Sequence, residues 1–190
     1  LKTYLFPMVD EAKRYEQYAE VVANAFGALR AESPELSFDN RLMIITPDES
    51  FRSSLEPHLQ RTLQAVGGGG GHAIKLVSAQ EACASFPVQA SNTHSVNKES
   101  EGVERIVLTS IGAADGLERL AVIMVGLDVK DKEEEEEEEK KKGDGLNDTT
   151  RSLIYRGITR AQMLVTVVNE HVPGGYFAWT NNVELNDKNE

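Results

Sequence analysis

A single cysteine, Cys83, occurs in 190 residues. No internal disulfide can staple this chain, so its stability has to come from apolar packing. One unpaired thiol also fits an intracellular setting, with the compartment open. The longest apolar run, LAVIMVGL at 120–127, is far short of the roughly 20 residues that cross a bilayer, so no membrane partner is expected. The start, Leu1-Lys2-Thr3, has neither the basic opening nor the apolar segment of a secretory signal. A first residue other than Met fits a fragment.

Several chemistries lack their residues. There is no Gly-Lys dipeptide, which excludes the loop whose backbone amides and lysine grip nucleotide phosphates. The glycines Gly67 to Gly71 run into His72 and Ala73 and read as a flexible connector. His58, His72, His94 and His171 show no ligand spacing, so no metal site is expected. No Gly-x-Ser-x-Gly elbow occurs. A basic excess is missing too. The net charge is −11, and the run Lys130 to Lys142, with eight acids and five lysines, accounts for only −3 of it. Binding to single-stranded nucleic acid is therefore expected to be weak, because such binding draws on cations that release counterions.

What is present is an alternation of apolar patterns. Tyr15, Tyr18, Val22, Phe26 and Leu29 draw a stripe along a helix between Asp10 and Ala31, closed by Pro34. LMII at 42–45 reads as a strand. Asp48 or Ser50 can cap a second helix carrying Phe51, Leu55, Leu59, Leu63 and Val66. A strand is expected at 73–78, loop with one helical turn at 79–102, buried strands at 105–110 and 120–125, a helix at 152–162 and a buried strand at 163–168. Residues 128–150 read as a solvated insertion, helical or disordered, and 177–190 as a polar tail. Continuous apolar strands between amphipathic helices predict one α/β domain over 1–176 with a mostly parallel sheet flanked by helices.

Three short patterns invite functional readings. Val9-Asp10-Glu11-Ala12 has the look of a magnesium-binding acidic motif, but helix-start acids explain it better. Arg156 and Arg160 would lie one turn apart on one helix face, where like charges repel and an anion would relieve them. Two cations at a helix C-terminus are the blander explanation, and spacing alone favours it. Asp115-Gly116-Leu117-Glu118 is in itself a good turn between two strands.

Taken in order, these pieces resemble the second RecA-like domain of a UvrD-like superfamily 1 helicase. The run TSIGAADGLERLAVIMVGLD (109–128) resembles the segment in which a Gly-Leu-Glu turn precedes a buried strand. The run SLIYRGITRAQMLVTVV (152–168) resembles the final motif, a Tyr-x-Gly-x-Thr-Arg-Ala string before a strand. RLMIITPDESFRSSLEPHL (41–59) resembles, more loosely, an earlier strand and helix.

The resemblance implies a RecA-like fold and roles for particular residues. Arg160 would be an arginine finger reaching the γ-phosphate of ATP, held with Mg mainly by a partner N-terminal RecA-like domain of the parent chain. Gly116, Glu118, Arg156, Gly157 and Thr159 would line the nucleotide, with Glu118 on its sugar. The family usually has His-Ser-Ala-Lys before Gly-Leu-Glu. Here Gly112 and Asp115 take the His and Lys places, which removes a nucleic-acid contact and reverses a charge. The other reading implied is a degenerate, catalytically inactive helicase-like module for interaction or regulation.

Overall fold

The computed structural model describes residues 1–8, 10–67, 73–84, 102–128, 148–173 and 175–177. Six strands form one sheet: β1 (Lys2–Phe6), β2 (Leu42–Thr46), β3 (Ala73–Val77), β4 (Val103–Ser110), β5 (Arg119–Val125) and β6 (Ala161–Glu170). Their order across the sheet is β1-β6-β5-β2-β4-β3, and every pairing is parallel. Among the described residues four helices cover it: α1 (Arg14–Glu32), α2 (Glu49–Gly67), α3 (Ala79–Ala84) and α4 (Asp148–Ile158). This is the α/β fold with helices flanking a parallel sheet that the sequence pattern predicts, and it is consistent with a RecA-like layout.

The period-2 alternation of each strand divides the core into two layers. Leu42 and Ile44, with Ala121, Ile123 and Val125, face one side and pack under Val22, Phe26 and Leu29 of α1 and Leu55, Leu59 and Leu63 of α2. Met43 and Ile45, with Val122 and Met124, face the other side and meet Ala82 of α3, Ile154 of α4 and the connection through Ile111 and Ala114. Both faces are covered, which is why β2 and β5 read as uninterrupted apolar runs rather than alternating ones.

The ends of the elements follow from local chemistry. Asp10 Oδ1 accepts from Ala12 N at 3.0 Å and caps a short 3₁₀ turn (Glu11–Lys13) leading into α1. Its acid therefore starts a helix, as the blander reading held. Asp48, not Ser50, caps α2, its Oδ1 accepting from Phe51 N at 2.7 Å.

Several boundaries differ from the sequence reading. β1 was not expected, since Pro7 cuts its apolar run short. It forms because parallel pairing with Thr166–Glu170 of β6 satisfies its backbone. The helix expected at 152–162 starts earlier and stops at Ile158, because residues 161–162 are drawn into β6 beside β5. Asp128, expected in the insertion, is buried, and Asn169 Oδ1 accepts from its backbone N at 3.1 Å. Phe177, expected in the tail, is buried too, its N donating to Asp128 Oδ2 at 3.1 Å. Residues 148–150 open α4. The rest of the expected insertion, the glycine connector beyond Gly67, residues 85–101 and the tail past 177 lie outside the described residues. Among the described residues no helix is long and apolar enough to cross a membrane.

Ile123 is fully buried between the two layers of helices, in the central part of the sheet. Ile123→Ala should lower the unfolding free energy by about 2–5 kcal/mol, read from the denaturant midpoint at unchanged slope.

Candidate functional site

The Gly-Leu-Glu turn and the Thr-Arg-Ala turn meet at the edge of the sheet where the strands begin. Glu118 immediately precedes β5 and Arg160 immediately precedes β6, and these strands are parallel neighbours. A backbone hydrogen bond joins the two starts directly, from Arg119 N to Arg160 O at 3.0 Å. Two segments about forty residues apart in the chain thus deliver a carboxylate and a guanidinium to one edge.

The 111–118 connection is not the hairpin turn that its composition suggests. β4 and β5 both pair in parallel with β2 and not with each other. The chain has to travel the length of the sheet in eight residues, without a helix. It does so through tight turns, Ala114 N donating to Ser110 O and Leu117 N to Ala114 O. Ile111 and Ala114 press inward, while Asp115 and Glu118 stay exposed. Gly116 sits at φ +82°, a left-handed conformation that a side chain would strain.

The remaining residues from the sequence reading take different positions. Gly157 is buried where α4 crosses the sheet, and a Cβ there would lie 2.5 Å from Met124 Sδ and 3.3 Å from Leu127 Cδ1. Its smallness allows this close packing. Thr159 closes the helix, its Oγ1 donating to Arg156 O at 2.9 Å. With α4 ended at Ile158, Arg156 and Arg160 do not share a helix face. Arg156 Nη2 donates to both carboxylate oxygens of Asp115, at 3.1 and 3.2 Å, and to Ile111 O at 3.3 Å. Arg160 is half-buried, and its guanidinium has no hydrogen bond or ion pair among the described residues. Of the two arginines, Arg160 is the one free to meet an anion.

The same edge carries three arginines that the motif reading passed over. Arg41 directly precedes β2, Arg119 opens β5 and Arg105 is the third residue of β4. A backbone turn at 38–41 organises them: Asn40 adopts φ +54°, its N donates to Arg105 O at 2.7 Å, and Arg41 N donates to Phe38 O at 2.9 Å. Asn tolerates this left-handed conformation better than most residues. Asp39 binds Arg105 through its backbone N, Nε and Nη2 at 2.8–2.9 Å. Arg119 is buried and holds Asn40 Oδ1 at 3.2 Å and the Glu118 carbonyl at 2.8 Å. Burial lowers the Arg119 pKa from its ordinary value. A sequence signal for this set existed, an arginine directly before each of the apolar runs LMIIT, IVLTS and LAVIMV.

The hydrogen bonds from Arg105, opposed by burial and aided by the nearby cations Arg105 and Arg41, hold the Asp39 carboxyl below its usual pKa. A depressed carboxylate contributes stability that is present above the unfolded pKa, about 3.9 for Asp, and is lost as pH falls through the lower folded value. Asp39→Asn should therefore destabilise the fold near pH 7, and the gap to the parent protein should close as the pH drops below about 4. Chemical denaturation across pH reads this directly, and a gap independent of pH would contradict it.

No protein-family model matches this chain. No curated protein matches it either. Among solved structures, the chain is similar to the C-terminal domain of a possible DNA helicase from Lactobacillus plantarum WCFS1, with a TM-score of 0.46 and 18% identity, covering 89% of this chain and 73% of that one.

Proposed function

We propose that this domain is the C-terminal RecA-like half of a helicase-type NTPase and supplies Arg160 to an ATP site completed by another domain. The observation that carries this is the shared edge: the Glu118 turn and the Arg160 turn, read separately as nucleotide contacts from the sequence, are joined by the Arg119 N to Arg160 O hydrogen bond. Arg160 offers a permanently charged planar fork with no competing partner among the described residues, the form suited to charge developing on a transferred phosphoryl group. Ligands of open α/β sheets usually sit where strands end. A domain that acts on a nucleotide held by its neighbour is free to use the opposite edge. Tyr155, Ile158 and Met163 bracket Arg160 in the chain and are 70%, 41% and 72% exposed. Apolar side chains of that size around an unpaired cation suit a surface covered by a second domain.

ATP would bring its phosphates to Arg160 and its sugar to Glu118. Magnesium would be held elsewhere, since Asp39 is engaged by Arg105 and Glu118 alone makes a poor site for a cation that prefers several oxygen ligands. In the complete parent chain, Arg160→Ala should lower kcat for ATP hydrolysis by roughly a thousandfold or more. The 190-residue chain alone should not hydrolyse ATP. Hydrolysis by that chain, at a rate lost in Arg160→Ala, would contradict the split site.

One observation favours a second reading, an inactive interaction or regulatory module. Asp115 stands where the resembled family has a lysine, and Arg156 neutralises it in a partly exposed ion pair. The position that would meet single-stranded nucleic acid is thereby closed on itself. Asp115→Lys with Arg156→Ala restores a free cation there. In an active motor the double variant should bind a single-stranded oligonucleotide more tightly and with a steeper salt dependence. Unchanged binding in the parent chain would favour the module.

A further inference from the structure

We infer that the anion site at the start of the sheet extends beyond Arg160 to Arg41, so that one oligophosphate chain lies across β6, β5 and β2. This inference rests on the half-site reading for Arg160 and adds a second phosphate contact to it. The strand order places β6, β5 and β2 side by side, and backbone bonds lock their starts together, Arg119 N to Arg160 O at 3.0 Å and Ala121 N to Arg41 O at 3.1 Å. Arg160 and Arg41 are thus two strand spacings apart across the edge and staggered by two residues along it, Arg160 opposite Glu118 and Arg41 opposite Leu120, about 12 Å between backbones. Arginine side chains can close much of that distance, and a chain of two or three phosphates bridges the remainder.

The charges along the edge divide into satisfied and unsatisfied groups. Arg105 is held by Asp39, Arg30 pairs with Glu104, and Lys2 pairs with Glu32. Arg119 is spent on Asn40 and the Glu118 carbonyl and acts as a positioning residue for both neighbours. Arg41 is exposed, and like Arg160 it has no hydrogen bond or ion pair among the described residues. With Asp39 and Glu118 also on this edge and Arg41 acting on Asp39 from a distance, the four guanidiniums of Arg41, Arg105, Arg119 and Arg160 still outnumber the two carboxylates, a local positive excess on a chain whose net charge is −11. Like charges gathered on adjacent strands repel, and a bound polyanion is what would turn that repulsion into attraction. The source of the oligophosphate is a nucleotide's phosphate tail or a free polyphosphate.

The test uses the 190-residue chain with inorganic tripolyphosphate and, separately, ATP, at low and moderate salt. Variants are Arg41→Ala, Arg41→Lys, Arg160→Ala and the control Arg61→Ala, an exposed cation on α2. Thermal melts confirm that each variant folds. Tripolyphosphate affinity is expected to fall about tenfold in Arg41→Ala and in Arg160→Ala, to recover partly in Arg41→Lys, and to stay within twofold in Arg61→Ala. Tighter binding of ATP than of tripolyphosphate, with the difference removed by Glu118→Ala, assigns the phosphates to a nucleotide. Equal binding of the two assigns them to a free polyphosphate. Loss in Arg160→Ala without loss in Arg41→Ala overturns the extension and leaves the half-site standing. Loss in neither overturns both. An equal loss in Arg61→Ala shows non-specific attraction and overturns the extension.

Discussion

Parallel pairing of β5 with β6 is the constraint on which the candidate site depends. Glu118 lies in the connection after β4 and Arg160 in the turn after α4, and neither segment touches the other in sequence. Only because Arg119 N meets Arg160 O at 3.0 Å do the two arrive at one place. Parallel pairing sets the connections as well. It requires α4 to return the chain over one face between β5 and β6, and it forces the 111–118 segment to run the length of the same face. Gly157 makes the return of α4 possible, since its missing Cβ lets the helix approach Met124.

Much of this was legible from residues alone. Doubly buried strands announce themselves as apolar runs, so β2, β4 and β5 and the α/β class are legible in the pattern, whereas the strand expected to be buried at 163–168 is buried only from Thr166 on and leaves Met163 exposed. The stripes of α1 and α2 matched their buried residues, Tyr18, Val22, Phe26 and Leu29 in one and Leu55, Leu59 and Leu63 in the other. What escaped was decided by tertiary pairing. β1 is five residues with a proline directly after it, and nothing local distinguishes it from a loop. The end of α4 is not legible locally, because helix periodicity runs on past Ile158 while the competing ladder with β5 belongs to a distant part of the chain.

The site was legible in its members but not in its geometry. Spacing suggested that Arg156 and Arg160 act together on one helix face. The structure separates them, giving Arg156 to Asp115 and leaving Arg160 unpaired. Asp115, where the resembled helicases have a lysine, and Arg156 look unrelated in the sequence but are partners across α4 and the 111–118 segment. Nothing local sets the arginines at 41, 105 and 119 apart, since each is an ordinary residue at or near the start of a strand. Strand order alone makes them a row, and the left-handed turn at Asn40 with the Asp39 carboxylate sets the geometry of that row.

On the proposed reading, the edge where the strands begin, and not the edge where they end, faces a nucleotide. A crystal structure of the parent chain with Mg and a non-hydrolysable ATP analogue tests it most directly. The analogue's terminal phosphate should lie within about 3 Å of the Arg160 guanidinium, with Glu118 toward the sugar. An analogue bound beyond the ends of the strands, near Thr46, Asp128 and His171, with Arg160 still in solvent, would contradict it.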